Sequence, residues 1–124
     1  KTLLWSDEFN GVQGTAPDAT KWTADTTDGC AAPYNNCGWG NGERQYYLAS
    51  KNTQDGSSLG VLNIQATRQT NSTNYNCYFG KCEWLSGKIT TYNKVGFTYG
   101  YMETRAKLSA GDGAWPAFWM LGSN

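Results

Sequence analysis

Apolar and polar side chains alternate along several stretches of the chain, and this two-residue period is typical of a β-strand with one buried face. The alternation is strict at 62–67, Leu-Asn-Ile-Gln-Ala-Thr, and at 100–108, Gly-Tyr-Met-Glu-Thr-Arg-Ala-Lys-Leu. A shorter apolar run at 117–121, Ala-Phe-Trp-Met-Leu, follows a Gly-Asp-Gly turn at 111–113 and is typical of a strand buried on both faces. The pattern therefore predicts β-strands at these three stretches.

Turn-forming residues divide the rest of the chain. Clusters of Gly, Asn, Asp and Ser recur at intervals of about 8–15 residues, as an antiparallel all-β fold requires. No window of about twelve residues carries the apolar stripe of an amphipathic helix, because β-branched residues, Gly and aromatic residues interrupt it. The chain also lacks internal repeats and linkers. Its pattern predicts one all-β unit.

The composition narrows the classes of function. Ten Lys and Arg balance ten Asp and Glu, and there is no His. A net charge of zero without a basic cluster argues against nucleic acid and an anionic membrane surface as partners, and no apolar run reaches the roughly 18 residues of a transmembrane helix. Without His, Ser-His-Asp, Cys-His and HExxH chemistry are excluded. Six Trp and eight Tyr fit recognition of a neutral carbohydrate, although core packing explains many aromatic residues equally well.

Four cysteines indicate disulfide bonds. Neither spacing is CxxC, and no His is present to complete a mixed zinc site. The short separations favour the local pairs Cys30–Cys37 and Cys77–Cys82, although four cysteines allow three connectivities. Disulfides favour a secreted protein, and the lack of a leader pattern at residue 1 indicates a mature form. The triplet at 71–73, Asn-Ser-Thr, is a glycosylation sequon of a kind that is common by chance.

The acidic residues offer no compact catalytic pair. Hydrolysis of a glycosidic bond normally uses two carboxylates, about 5–5.5 Å apart for retention or about 6.5–9.5 Å apart for inversion. On one strand, such acids would be separated by two or four positions, or by five across a bulge. None of these separations occurs among Asp7, Glu8, Asp18, Asp25, Asp28, Glu43, Asp55, Glu83, Glu103 and Asp112. A catalytic pair whose two acids come from separate strands, such as Glu43 with Glu103, remains as an alternative.

Five blocks of residues resemble glycoside hydrolase family 16 in its laminarinase branch, and they occur in the family's order over nearly all of the chain. The blocks are WSDEFNG at 5–11 followed by Asp18 and Lys21-Trp22, GWGNGERQYY at 38–47, LNI at 62–64 with SGKI at 86–89, GYMETRAKL at 100–108, and GAWPAFWMLG at 113–122. The resemblance implies a β-jelly roll, an antiparallel β-sandwich of the concanavalin-like type, whose concave face binds β-glucan. It further implies endo-1,3-β-glucanase activity by retaining double displacement.

The chain departs from the family pattern at its end. The family's nucleophile and acid/base Glu lie in a strand reading E-x-D-x-x-E, or E-x-D-x-E in the lichenase branch. In laminarinases this strand comes shortly after the W-P-A-F-W-M-L block, and this sequence stops at Asn124 before reaching it. The resemblance therefore implies that residues 1–124 are the N-terminal half of a single jelly-roll domain. No catalytic residue is expected in the chain, which alone is predicted to be inactive.

The resemblance also assigns roles to individual positions. Asn41 and Arg105 match positions that bond the hydroxyls of donor sugars, and Trp115 and Trp119 match platforms for sugar rings near the cleavage point. Each of these four residues also has a purely structural interpretation: a turn-forming Asn, a solvated Arg and two core Trp. Glu8 is similar to an acid that helps to hold a structural Ca²⁺ in many members, and a β-turn acid is its alternative. The chemistry itself needs no cofactor.

Three functional hypotheses follow. The first is a secreted retaining endo-1,3-β-glucanase, whose substrate is β-1,3-glucan or a mixed-linkage β-glucan. The second is a glucan-binding relative that keeps the fold but has lost the catalytic acids. In the third, the chain is complete and pairs with a second polypeptide that carries the other half of the sandwich, since a jelly roll cut midway leaves strand edges unpaired.

Overall fold

The computed structural model of the chain describes residues 2–70 and 74–122. The glycosylation sequon at 71–73 lies outside these residues. Within the two described ranges, the regular structure consists of short β-strands and two 3₁₀ turns, which confirms the prediction of an all-β chain. No helix in these ranges is long and apolar enough to cross a membrane.

The described residues form nine strands of two or three residues each. The strands are β1 Thr23–Ala24, β2 Gln45–Tyr47, β3 Asn52–Gln54, β4 Leu62–Ile64, β5 Thr67–Arg68, β6 Asn76–Cys77, β7 Gly80–Lys81, β8 Trp84–Ser86 and β9 Ile89–Thr90. The two 3₁₀ turns are Cys37–Gly40 and Ala49–Lys51.

The strands pair in four small sheets within the described ranges. Strand β1 pairs antiparallel with β9, β3 with β4, and β6 with β7. In the remaining sheet, β8 lies between β2 and β5, antiparallel to β5 and parallel to β2. The predicted antiparallel arrangement is therefore confirmed for every pair except β2 with β8.

The predicted strand at 62–67 is wrong in its extent, because the run divides between two sheets. Its first half is β4, which pairs with β3, and its last residue begins β5, which pairs with β8. The backbone N–H of Gln65 donates to the carbonyl of Lys51 at the point where the chain leaves the first sheet. Ile64 is 53% exposed, so the expected buried face is not formed by the described residues.

The strands predicted at 100–108 and 117–121 are also absent, and residues 96–122 are exposed throughout. A β-strand persists only when a neighbouring strand satisfies its N–H and C=O groups, and no described strand lies beside this segment. The turn predicted at 111–113 is present, since the N–H of Ala114 donates to the carbonyl of Gly111 at 3.2 Å. Here the local sequence pattern is strand-like, but the tertiary partner that would stabilise the strand is missing.

The core is small for a chain of this length. Its buried apolar residues are Tyr47, Cys77, Cys82 and Leu85. The accessible surface is 9394 Å², whereas a compact monomer of this mass exposes about 6,600 Å² by the usual scaling. The excess indicates that the fold is open on one side, where the exposed apolar side chains of residues 96–122 lie.

Candidate functional site

The glycine-rich loop at 38–43 turns through left-handed backbone. Gly38 and Trp39 have φ values of 59° and 55°, and a non-glycine residue in this region is strained unless its surroundings hold it. The N–H of Trp39 donates to the carbonyl of Asn36 at 2.8 Å, and that of Glu43 donates to the carbonyl of Gly38 at 3.0 Å. A side chain at Gly38 would lie 2.8 Å from the ring of Tyr78, so only glycine fits there. The loop is therefore held in one shape.

Two disulfides flank this loop, and both have the predicted pairing. Cys30–Cys37 ends at the first residue of the loop's 3₁₀ turn, and Cys77–Cys82 closes the hairpin of β6 and β7. The Arg44 guanidinium lies 4.4 Å from the ring centroid of Phe79 at the tip of that hairpin. The loop is thus supported from both sides by covalently closed segments.

Lys88 lies at the centre of a group of aromatic rings, here called the Lys88 cage. Its ammonium is 3.7 Å from the ring centroid of Trp39, 5.6 Å from that of Tyr47 and 5.8 Å from that of Trp119. It also forms a 3.1 Å ion pair with Asp25 Oδ2. The side chains of Lys88 and Asp25 are 19% and 11% exposed, so water screens this pair less than it would a surface pair. The cage combines flat apolar rings with a cationic hydrogen-bond donor.

A hydrogen-bonded carboxylate lies beside the cage. Glu43 Oε2 accepts from the Tyr47 hydroxyl at 2.7 Å and from the Gln45 amide at 2.6 Å. Gln45 Nε2 also donates to the Tyr47 hydroxyl at 2.8 Å. Burial raises the pKa of Tyr47 above its ordinary value, and the bond to Glu43 raises it further. The arrangement holds Glu43 against β2 and keeps Tyr47 protonated in the folded chain.

We expect the stability of the fold to decrease above pH 10 because of Tyr47. The ordinary tyrosine pKa is 10.0 and the folded-state value is higher, so the folded state binds the proton more tightly than the unfolded chain does. The stabilisation is full below pH 10 and is lost above it, at up to about 1.4 kcal/mol per pH unit for one group. Urea denaturation between pH 8 and pH 11 measures this, and Tyr47→Phe should flatten the profile. The exposed Tyr99→Phe is the matched control, and an equal flattening by that variant would contradict the assignment.

The structure brings together only part of the predicted substrate-side set. Trp119 lies at the Lys88 cage, and Asn41 follows Gly40 in the rigid loop with its side chain exposed. Arg105 and Trp115 belong to the exposed segment 96–122, where Trp115 is 92% exposed. Among the described residues, no ring contact involves Trp115 and no ion pair involves Arg105. In the part of the chain that the structure describes, no strand forms around Trp115 and Trp119, so the two rings do not share a strand face.

Sequence reasoning missed Lys88 and Asp25 as site residues. Lys88 lies within the block SGKI that carries the family resemblance, and Asp25 lies close to another block, but a Lys or an Asp in an alternating strand is ordinarily a solvated residue. Their pairing depends on β1 and β9, in which Ala24 lies opposite Ile89 and the N–H of Asp25 donates to the carbonyl of Lys88 at 3.0 Å. Only this strand register places the two side chains together.

The described residues around Glu8 do not assemble a calcium site. Glu8 is exposed, and no group of three His, Cys, Asp or Glu side chains in the described ranges could hold a metal ion. The neighbouring Asp7 carboxylate is engaged elsewhere, because it accepts from Trp22 Nε1 at 2.8 Å and from the N–H of Phe9 at 2.9 Å. Ca²⁺ takes six to eight oxygen ligands, so Glu8 would need further oxygen ligands, and the calcium site stays a prediction.

An open space separates the segment 96–122 from the sheets. Its volume is about 3870 Å³, and its walls include the Lys88 cage, Asn41 and Glu43. Pockets for small ligands measure about 300–1,000 Å³. The space is therefore larger than a ligand pocket, and its walls carry exposed apolar side chains from both the segment and the sheets.

The comparisons with known proteins agree with this geometry. No protein-family model matches the chain. The glucan endo-1,3-β-glucosidase A1 of Niallia circulans is 41% identical over 124 aligned positions, which cover 96% of this chain and 17% of that protein. A β-1,3-glucan-binding protein of Penaeus monodon is 46% identical over 39 positions, covering 32% of this chain and 11% of that protein.

Comparison with solved structures also finds a laminarinase as a relative of this chain. The laminarinase catalytic domain of Thermotoga maritima matches with a TM-score of 0.62 and 28% identity over 80% of this chain. The match covers 35% of that structure, so this chain spans only part of the length of its structural relative. In sequence and in fold, the chain is thus similar to one part of a β-1,3-glucanase and of a laminarinase, which confirms the resemblance found in its sequence.

Proposed function

We propose that residues 1–124 form the N-terminal part of a single jelly-roll domain that hydrolyses β-1,3-glucan by retaining double displacement. The observation that carries the proposal is the Lys88 cage, together with Asn41 and Glu43 on the wall of the same open space. Aromatic rings offer stacking faces to the apolar C–H faces of sugars, and the ammonium and amide groups bond sugar hydroxyls. The site therefore fits a neutral polysaccharide.

The roles within the site follow from its contacts. Trp119 and Trp39 stack against sugar rings, and Lys88 donates to a sugar hydroxyl with the N–H groups that Asp25 does not use. Asn41 bonds hydroxyls from the exposed loop. Arg105 and Trp115 join the site when the segment 96–122 is ordered as a strand. The Ca²⁺ site proposed at Glu8 would need further ligands from outside the described residues.

The catalytic acids are proposed to lie beyond Asn124. Within the described residues, the two carboxylates nearest the cage already have partners, since Asp25 pairs with Lys88 and Glu43 accepts two hydrogen bonds. The exposed surface of the segment 96–122, where the described residues form no strand, supports further strands that fill the open space and pair with this segment. These strands belong either to the same polypeptide or to a second chain.

A non-hydrolytic glucan-binding protein is the second candidate function. It is favoured by the similarity to the Penaeus monodon protein and by a recognition site that forms without catalytic acids. Secretion is proposed for both candidates, because two disulfides form and such bonds persist in oxidising compartments.

The two candidates are separated by the reaction of the complete natural protein with laminarin, a β-1,3-glucan. We expect release of reducing sugar, with β-anomers formed first when the products are followed by proton NMR, because double displacement retains configuration. Barley β-glucan serves as the mixed-linkage comparison. Binding of laminarin without product would favour the glucan-binding function, and initial release of α-anomers would contradict the retaining mechanism.

A further inference from the structure

A smaller pocket lies beside the Lys88 cage, and most of the residues that line it also face the open space described above. Its volume is about 310 Å³, close to the lower limit for ligand pockets. Tyr34 and Tyr92 contribute to its wall, with Thr90 and Asn93 beside them. We call it the tyrosine pocket. Its size suits one sugar ring rather than an oligosaccharide.

The polar groups of the tyrosine pocket suit a neutral, hydroxyl-rich ligand. The Asp25 carboxylate accepts from the Tyr34 hydroxyl at 3.1 Å and pairs with Lys88, so its charge is already compensated. Lys94 Nζ donates to the backbone carbonyls of Ala19 and Trp22 and is thereby also engaged. The charged groups that line the pocket are therefore already paired, so the pocket does not favour a charged ligand. Hydroxyl, phenol and amide groups, which bond sugar hydroxyls, make up the remaining polar wall.

The tyrosine pocket and the Lys88 cage share one wall. Asp25 uses Oδ1 for the Tyr34 hydroxyl and Oδ2 for Lys88, so a single carboxylate joins the two sites. The ring of Tyr34 also lies 4.5 Å from that of Trp39, between ring centroids. Tyr34, Tyr92 and Asn93 also line the open space that the cage borders, so both sites open to the same space.

The wall that carries Tyr34 is built by a disulfide-closed loop. Cys30 and Cys37 enclose Pro33 and Tyr34, and the N–H of Asn36 donates to the carbonyl of Gly29 at 2.7 Å. A rigid wall presents its ring without a further loss of conformational entropy on binding.

We infer that the tyrosine pocket is an additional subsite, which takes one pyranose ring of a β-glucan whose neighbouring units occupy the Lys88 cage. The inference rests on the proposed glucan-binding function. It assigns the loop closed by Cys30–Cys37 a role in setting the length of glucan that the protein recognises. A ligand long enough to reach both sites gains contacts that a disaccharide held in the cage does not.

Binding of β-1,3-linked glucose oligomers by the complete natural protein tests this subsite. Tyr92 is 70% exposed, so Tyr92→Ala should leave the fold intact. We expect this variant to weaken the binding of the hexasaccharide about three- to tenfold, the range of one aromatic contact, and to leave the disaccharide unaffected. Tyr92→Phe keeps the ring and should retain most of the affinity. Isothermal titration calorimetry measures all three proteins with both ligands in their sulfur-linked form, which the proposed hydrolysis does not cleave.

The possible failures have different signatures. If the wild-type protein binds the hexasaccharide and Tyr92→Ala binds it equally well, the subsite is overturned and the proposed function stands. Equal weakening for the disaccharide and the hexasaccharide also overturns the subsite, because the effect would then reach the cage. If the wild-type protein binds neither oligomer, the proposed function is overturned together with the subsite. A second variant, Asn93→Gly, removes the amide and tolerates the φ of 59° at this position, and it should likewise affect the hexasaccharide alone.

Discussion

Incubated with laminarin, the isolated 124-residue chain will release no measurable reducing sugar under conditions in which the complete natural protein is active. Retaining hydrolysis needs a nucleophile and an acid/base carboxyl about 5–5.5 Å apart. Asp25 and Glu43, the carboxylates beside the Lys88 cage, are held by an ion pair and by two hydrogen bonds. Without the proposed pair beyond Asn124, we expect a loss of roughly 10⁴-fold or more.

Adding back the rest of the domain provides the control for this first prediction. Co-expression of the chain with a separate polypeptide that begins after Asn124 should restore activity if the two parts pair along the segment 96–122. Hydrolysis by the isolated chain at a rate near that of the complete protein would show that its own carboxylates suffice. Glu43→Gln and Glu103→Gln would then identify which of them acts.

Replacement of Lys88 by Met should weaken glucan binding by about ten- to hundredfold, the range of one charge-assisted hydrogen bond. The same change leaves the Asp25 carboxylate, which is 11% exposed, without its cation. We therefore also expect the free energy of unfolding to fall by about 2–3 kcal/mol, somewhat less than for a fully buried pair because water reaches both groups. Titration calorimetry with the β-1,3-linked hexasaccharide and urea denaturation of the complete protein measure the two effects.

Two further variants separate the binding role of Lys88 from its structural role. Lys88→Met combined with Asp25→Asn removes the uncompensated charge, while the Asn carbonyl still accepts from the Tyr34 hydroxyl. The stability should then recover while the affinity stays low. Lys88→Arg keeps the cation near the rings and should retain most of the stability. Recovery of affinity in the double variant would show that Lys88 acts only by stabilising the fold.

The local parts of the fold could be predicted from the sequence. The absence of a helical stripe indicated an all-β chain, and the short cysteine separations indicated the two disulfides that form. Both signals depend on residues a few positions apart. The strand at 100–108 could not be predicted in the same way, because a strand also needs a partner, and the described residues do not supply one.

The candidate site likewise combines features that local sequence indicated with features that only contacts between distant segments create. The blocks around Asn41 and Trp119 indicated a glucan-binding face, and the roles of these two residues stay predictions. The pairing of Asp25 with Lys88 had no sequence signal, since these residues lie far apart in the chain and meet through the register of β1 and β9. The tyrosine pocket likewise combines the disulfide loop with the turn that follows β9.

The sequence by itself therefore determined the fold class and the resemblance to laminarinases, and it favoured the disulfide pairing that forms, because alternation, short spacings and ordered motifs are properties of neighbouring positions. Only the tertiary structure decided which side chains surround Lys88, where the tyrosine pocket lies, and that no described strand lies beside residues 96–122. These features depend on contacts between distant segments. The sheet register that brings such segments together is set by packing and backbone hydrogen bonds, and no single stretch of the chain encodes it.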